Sequence, residues 1–280
     1  MRQARAEQRV IGFVPTMGAL HAGHLALVQR ARQDCSRVIA SIFVNPKQFG
    51  PKEDLARYPR TLETDTAKLI SAGVDSLFLP ESAEIYPPGF STYVSVEGLS
   101  ERLEGRTRPG HFRGVSTVVL KLLEIVQPHF AYFGRKDAQQ VRIISQMVTD
   151  LNLDTEIVVH PIVREADGIA LSSRNAYLSS EERKAAGVLH RALEAVRNEL
   201  ASGVRDTLQL QTVMARVLDG EPLARVDYAE IVDGLTFEPV VRVSRSCYAL
   251  LAAYIGKTRL IDNLLIEPGN AGSDELRLEL

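Results

Sequence analysis

Near its start the chain reads Val10-Ile11-Gly12-Phe13-Val14-Pro15-Thr16-Met17-Gly18-Ala19-Leu20-His21-Ala22-Gly23-His24, and the fold class follows from how this stretch changes period. An apolar run rich in β-branched residues gives way to small and turn-forming ones. Leu20, His24, Leu27, Val28, Ala31 and Cys35 then recur at helical spacing. The reading is a strand feeding directly into an amphipathic helix over residues 23–34, with His24 on its inward stripe. The same alternation continues for about 160 residues, with further strands predicted over 37–44, 74–79, 130–133 and 155–159. Several of these runs are apolar on both faces, as a parallel sheet covered by helices requires. The predicted class is therefore α/β.

The texture changes after Pro161. A polar loop over 166–175 precedes a long helix opened by Ser179, with Glu182 three residues on as a capping box, and stopped at Gly203. A helix over 207–218 and strands over 226–232 and 247–253 complete a smaller α+β domain. The expected organisation is a first domain over 1–163, a second over 164–267, and a loose tail over 268–280 without a packing pattern.

The 280 residues are 45% hydrophobic and 24% charged, which excludes disorder and a small disulfide scaffold. Lys plus Arg number 33 against 35 Asp plus Glu, a formal charge of -2, so no global basic field points to nucleic acid or an anionic membrane. Two distant cysteines, Cys35 and Cys247, make neither a zinc site nor a disulfide framework and fit a reducing cytosol. The first ten residues contain no apolar export segment, and no apolar run approaches the roughly 18 residues that span a bilayer. A cytoplasmic protein is expected.

Ligands of open α/β sheets bind beyond the carboxyl ends of the strands, where a helix start offers N–H groups and a positive dipole end. The first strand ends there, and its helix begins with two histidines three apart. Their Cβ atoms should be about 5–6 Å apart, so both imidazoles can address one phosphate. A zinc pair or a packed core histidine would explain an arbitrary H-x-x-H. Here no third ligand lies nearby, because His111, His129, His160 and His190 are scattered. A P-loop sequence is absent, which argues against kinase and ATPase mechanics.

Three more stretches could carry chemistry. Gly134, Arg135, Lys136 and Asp137 follow another predicted strand end, where cations can neutralise phosphate and Asp137 can cap a helix, although a surface turn accounts for them equally well. Leu171, Ser172, Ser173 and Arg174 offer hydroxyls and a guanidinium for a triphosphate, or form a solvated linker. The residues 106–113 hold four potential cations, a run that commonly lines a solvated loop. Gln48 and Gln140 are neutral amides at strand ends, suited to a polyol or hydroxy acid.

Taken together, Val14-Pro15-Thr16-Met17-Gly18 with His21-Ala22-Gly23-His24, Phe43-Val44-Asn45-Pro46 with Gln48-Phe49, the segments 55–61 and 108–115, Leu171-Ser172-Ser173-Arg174-Asn175 and Arg259-Leu260-Ile261-Asp262-Asn263 resemble the pantothenate synthetase family. The H-x-G-H element alone marks only the wider nucleotidyltransferase superfamily. The resemblance implies a Rossmann-like sheet with helices on both faces and a C-terminal lid domain. It also implies an ATP-dependent ligase: pantoate attacks the α-phosphate of magnesium ATP, and β-alanine then attacks the resulting pantoyl adenylate, releasing pantothenate and AMP. By resemblance Pro15, Thr16, Met17, Gly18, Ala19, Leu20, His21, Ala22, Gly23 and His24 lie along the ATP, with His24, His21 and Lys136 catalytic. Gly134, Arg135, Lys136, Asp137, Val163, Leu171, Ser172, Ser173 and Arg174 complete the ATP site. Gln48, Gln140 and Arg108 hold pantoate, and Gln48 borders β-alanine. No residue is assigned to the metal, and a homodimer is implied.

Three departures accompany the resemblance. The stretch ahead of Val10 is shorter than the family pattern, the tail after Glu267 is additional, and Arg135 replaces a glutamate. Neighbouring residues at a helix start do not point the same way, so Arg135 is expected to face outward and leave its backbone to the nucleotide. The rival readings are another adenylyltransferase of the superfamily, against which Gln48 and Gln140 speak, and a nucleotide-sensing module without turnover.

Overall fold

The computed structural model describes residues 9–51 and 53–267, so the expected tail and the first eight residues lie outside the described chain. Two compact units emerge. The first runs to Arg135 and resumes over Gln139–Pro161; the second takes Lys136–Ala138 and continues from Ile162.

Strands β1 (Ile11–Thr16), β2 (Arg37–Ile42), β3 (Ser76–Phe78), β4 (Phe130–Gly134) and β5 (Glu156–His160) form the sheet of the first unit, in the order β3-β2-β1-β4-β5. Every pairing is parallel, with Ile11 opposite Arg37 and Phe130 opposite Glu156. The connections are helical: α1 (Ala22–Asp34), α2 (Leu62–Ser71), α3 (Ser82–Ile85), α4 (Glu104–Thr107), α5 (His111–Val126) and α6 (Ala138–Asp150). Chain order reverses between β1 and β4, the switch point at which such sheets open a crevice.

Ile11, Phe13 and Val14 of β1 have no exposed surface. Successive strand side chains point to opposite faces, so helices cover both sides of the sheet. On one face Val14 packs with Leu27, Val28 and Ala31 of α1, Leu69 of α2, Val38 and Tyr132. Full burial of side chains such as these contributes about 1.5–3 kcal/mol each. The apolar stripe predicted for α1 is therefore what anchors it under β1, with His24 half-buried at its upper end.

The second unit is an antiparallel sheet, β6 (Ala224–Asp233), β7 (Cys247–Ile255) and β8 (Thr258–Ile266) in sequence order, with α7 (Ser180–Ala201) and α8 (Thr207–Asp219) packed against it. Ser179 and Glu182 form the predicted capping box: the Glu182 N–H donates to Ser179 Oγ at 3.2 Å and the Ser179 N–H to Glu182 Oε2 at 2.9 Å. Cys35 and Cys247 are buried free thiols, each with its pKa pushed up by burial, which suits inert core positions. Among the described residues no helix is long and apolar enough to cross a membrane.

The structure adds elements that the sequence pattern hid. β8 was not expected as a strand, because its alternation is interrupted by Asp262 and Asn263, which are nonetheless 3% and 2% exposed. Both are buried because both are paired: Arg164 donates to the two Asp262 oxygens at 2.6 and 3.0 Å, and Asn263 Nδ2 donates to the Lys136 carbonyl at 2.9 Å. The cationic run over residues 106–113 is not a plain loop: α4 holds Glu104–Thr107, and α5 starts at His111, directly after Gly110 at a φ of 82°.

Candidate active site

β1 ends at Thr16, whose hydroxyl donates to the Ser41 carbonyl on β2 and accepts the Gly18 N–H at 3.2 Å. The chain then turns through two left-handed residues, Gly18 at φ 81° and Ala19 at φ 50°, before α1 begins. A Cβ on Gly18 would lie 3.1 Å from Ile42 and 3.2 Å from the Asp65 carboxylate, so both conformation and space call for glycine.

The start of α1 is built by its two histidines. His21 is the N-cap and its Nδ1 accepts the Gly23 N–H at 3.2 Å, while His24 Nδ1 accepts the His21 N–H at 3.3 Å. The rings stand 4.1 Å apart between centroids. With each Nδ1 acting as an acceptor, a neutral imidazole carries its proton on Nε2, which is then the donor of each ring. This corrects one expectation. The helix start does not offer a row of open amides: the N–H groups of Ala19, Leu20, His21, Gly23 and His24 all have partners within the chain.

Gln48 is 9% exposed, in the short turn Pro46–Gln48 after β2. Its Oε1 accepts from Asn45 Nδ2 at 3.0 Å, and its Nε2 reaches Met17 Sδ at 3.0 Å, which ties this amide to the turn after β1. Asn45 is in turn oriented by Tyr86, whose hydroxyl donates to Asn45 Oδ1 at 2.7 Å and whose pKa is pushed up by burial. Gly114 lets α5 lie against this turn: a Cβ there would come within 2.2 Å of the Lys47 carbonyl oxygen.

Arg108 pairs with two groups of the same neighbourhood. Its Nε and Nη2 donate to Glu53 at 2.9 and 2.7 Å, and its Nη1 faces His111 Nε2 at 3.0 Å. His111, 8% exposed, donates from Nδ1 to the Gln48 carbonyl at 2.8 Å. Burial, followed by the adjacent guanidinium, lowers its pKa to about 4. A neutral imidazole with a proton on Nδ1 satisfies both contacts at once. Arg108 is thus committed to Glu53 and His111, and its link to Gln48 runs through the histidine ring.

At the end of β4, Gly134 leads into a short turn over Arg135–Asp137. Arg135 is 5% exposed, which overturns the expectation of an outward side chain. Its side chain is enclosed by the protein at the short turn that follows β4. Lys136 is half-buried, with Nζ 3.5 Å from Asp137 Oδ1. Gln140 is half-buried on the first turns of α6.

Within the second unit, Leu171 donates its N–H to the Val163 carbonyl at 3.0 Å, so these two expected ATP residues are joined. Ser172 caps the short helix Ser173–Tyr177, its Oγ accepting the Arg174 N–H at 3.3 Å. The loop is braced from behind. Asn175 Nδ2 donates to Glu165 Oε1 at 3.0 Å, and Arg183 donates to Glu165 at 3.0 and 2.6 Å and to Asp167 at 3.0 and 2.8 Å. The Arg183 hydrogen bonds hold the Glu165 carboxyl below its usual range.

Sequence reasoning missed Asp65, Asn45, Tyr86 and His111 as parts of the site. Asn45 and His111 stood in motifs that were read without assigning them a role. Asp65 lies on an amphipathic helix where a carboxylate reads as a solvated residue, yet it is fully buried.

Comparison with known proteins shows which family the chain belongs to. Residues 1–265 match the family described as pantoate-beta-alanine ligase. The chain is 57% identical over 267 residues to a pantothenate synthetase of Chloroflexus aurantiacus, covering 95% of each, and 58% identical over 258 residues to one of Acidobacterium capsulatum, covering 92% of this chain and 86% of that one. The crystal structure of pantothenate synthetase from Thermus thermophilus superposes with a TM-score of 0.91 at 49% identity, over 95% of this chain and 98% of that one. A pantoate-beta-alanine ligase from Francisella tularensis, complexed with beta-gamma ATP and beta-alanine, superposes with a TM-score of 0.75 at 40% identity, over 92% of this chain and 90% of that one.

Proposed function

The chain belongs to the pantoate-beta-alanine ligase family, and from that premise we propose how its residues share the work of joining pantoate to β-alanine with ATP. The activity is the condensation itself; the division of labour is our reading. A pantoate carboxylate oxygen attacks the α-phosphorus of ATP, the bond to the bridging oxygen breaks, and pyrophosphate leaves. The β-alanine nitrogen then attacks the acyl carbon of pantoyl adenylate, losing a proton as AMP departs with the acyl C–O bonding pair.

The observation that carries this reading is the imidazole pair at the switch-point end of β1, both rings tied at Nδ1 and 4.1 Å apart between centroids. Adenylation is an in-line displacement in which negative charge grows on phosphate oxygens, so fixed donors aimed at that charge supply most of what the protein can add. His24 and His21 take that role, with Lys136 as the accompanying cation. Residues 15–24 and 134–137, together with Val163, Leu171, Ser172, Ser173 and Arg174, line the ATP. In this scheme residues 1–163 act as the ATP- and pantoate-binding domain and residues 164–267 as a lid.

Gln48 and Gln140 hold the pantoate hydroxyls and Gln48 borders β-alanine. A primary amide both donates and accepts, which suits a hydroxy acid. Arg108, joined to the Gln48 carbonyl through the His111 ring, completes the pantoate site. Magnesium fits as part of the nucleotide: the groups at the histidine turn are imidazole, amide and hydroxyl, and the carboxylate there, Asp65, is engaged by backbone N–H groups, whereas magnesium takes phosphate oxygens and water. We further read the protein as a cytoplasmic homodimer, a reading that rests on the family.

Exchange of labelled pyrophosphate into ATP tests the order of steps and the site together. Exchange should need pantoate and magnesium but not β-alanine, and His24→Ala should lower it by about 10² to 10³, the usual cost of one lost transition-state donor. Strict dependence on β-alanine, or normal exchange in a folded His24→Ala protein, refutes the scheme.

A further inference from the structure

We propose that Asp65 and Lys68, one helical turn apart on α2, clamp the turn over residues 18–20 and thereby position the histidine pair for adenylation. Asp65 has no exposed surface, and each of its carboxylate oxygens accepts one amide of the turn. Oδ2 accepts the Ala19 N–H at 2.8 Å and Oδ1 accepts the Leu20 N–H at 2.8 Å; the Thr61 hydroxyl donates to Oδ2 at 3.1 Å. Lys68 completes the grip, its Nζ donating to the Leu20 carbonyl at 2.6 Å. Residues three apart share a helix face, so one face of α2 presents an anion to the amide of Leu20 and a cation to its carbonyl.

The clamp acts where the backbone is least able to hold itself. Ala19 sits at φ 50°, a region that residues with a Cβ rarely visit, and it follows Gly18 at 81°. Such a conformation persists when its surroundings over-determine it, and here the Asp65 carboxylate receives the N–H of Ala19 itself. His21 begins one residue after Leu20, so any drift in the turn swings both imidazoles. The clamp has a second consequence. Two consecutive amides in a turn of this kind form an anion-binding concavity, and Asp65 fills it with a carboxylate of the protein. The polyphosphate is thereby denied these two amides and meets the Nε2 donors of the histidines instead.

Asp65 and Lys68 are positioning residues, and this inference rests on the assignment of His24 and His21 to the phosphates. The test separates the two half-reactions. In Asp65→Asn one acceptor oxygen becomes an amide that faces an N–H; in Lys68→Met the grip on Leu20 is lost without a buried charge being left unpaired. Pyrophosphate exchange should fall by about 10- to 100-fold in Asp65→Asn, the scale set by misplacing a reacting group by an ångström, and by less in Lys68→Met. Aminolysis should be nearly unchanged when accumulated enzyme-bound adenylate is chased with β-alanine in a single turnover. Equal losses in both half-reactions would reduce Asp65 to a structural residue, and exchange at the normal rate in both folded variants would remove the clamp. If Asp65→Asn does not fold, Lys68→Met decides alone by the same criterion. His24→Ala run alongside distinguishes failures: normal exchange there refutes the site assignment, whereas lost exchange there with normal exchange in the α2 variants refutes only the clamp.

Discussion

Replacing His111 with Asn should erase a specific part of the acid sensitivity of this protein. His111 is held neutral by two opposed contacts, Nδ1–H donating to the Gln48 carbonyl at 2.8 Å and Nε2 accepting from Arg108 at 3.0 Å. A proton on Nε2 would turn a donor toward a guanidinium in a site where the ring is 8% exposed, and the folded-state pKa falls from 6.5 to about 4. Above pH 6.5 the ring is neutral in both folded and unfolded chains and its contribution to stability is complete. Between pH 6.5 and 4 the unfolded chain binds a proton that the folded one refuses, so stability falls as pH falls. At about 1.4 kcal/mol per pH unit, the loss approaches about 3 kcal/mol by pH 4. His111→Asn keeps a donor near the Gln48 carbonyl but cannot titrate. Urea unfolding of both proteins at half-unit steps from pH 7.5 to 4 gives the difference directly, with shared carboxylate titrations cancelling. The gap between wild type and variant should be largest at pH 7.5 and close by most of those 3 kcal/mol toward pH 4. Curves that stay parallel would show that the buried imidazole does not control stability, and the Arg108–His111–Gln48 chain would lose its support.

Two further outcomes bear on the turn after β4. Lys136→Met keeps the apolar stem and removes the ammonium; it should raise the ATP requirement of pyrophosphate exchange and leave the β-alanine chase of preformed adenylate intact, and equal damage to both would move Lys136 off the phosphates. Arg135→Glu, which an outward side chain would tolerate, should instead destabilise the protein by about 3–5 kcal/mol, the cost of disrupting a buried charge, while Arg135→Met costs less. Urea midpoints unchanged from wild type in both would mean that Arg135 reaches solvent after all.

The parts of this molecule that were legible beforehand are those in which one local signal sufficed. β1, the turn and α1 announce themselves because the hydrophobic period changes within a few residues, and the Ser179–Glu182 box marks the start of α7 because both halves of its hydrogen-bond pair are close in sequence. The histidine pair was legible for the same reason: a spacing of three puts both rings on one helical turn. Illegible were the residues whose role depends on a distant partner. β8 was hidden by Asp262 and Asn263, polar at positions that the alternation reserves for apolar side chains, and they belong there only because Arg164 and the Lys136 carbonyl, far off in sequence, meet them.

Asp65 shows the same limit more sharply. Its neighbours Glu63, Thr64 and Thr66 give α2 an ordinary polar surface, and nothing within the helix distinguishes the one carboxylate that is buried. What buries it is a pair of amides 45 and 46 residues earlier, pushed out of regular structure by the turn over residues 18–20. Those amides need an acceptor as strictly as Asp65 needs donors, because an unmet polar group in a buried site costs about 1–3 kcal/mol on either side. Each half therefore explains the other, and neither is readable alone. The stretch that announces the fold is also the one that depends most on help from elsewhere: the strand and helix form by local rules, and the turn between them, which aims the chemistry, is set by a helix that pairs with it only once the chain has folded.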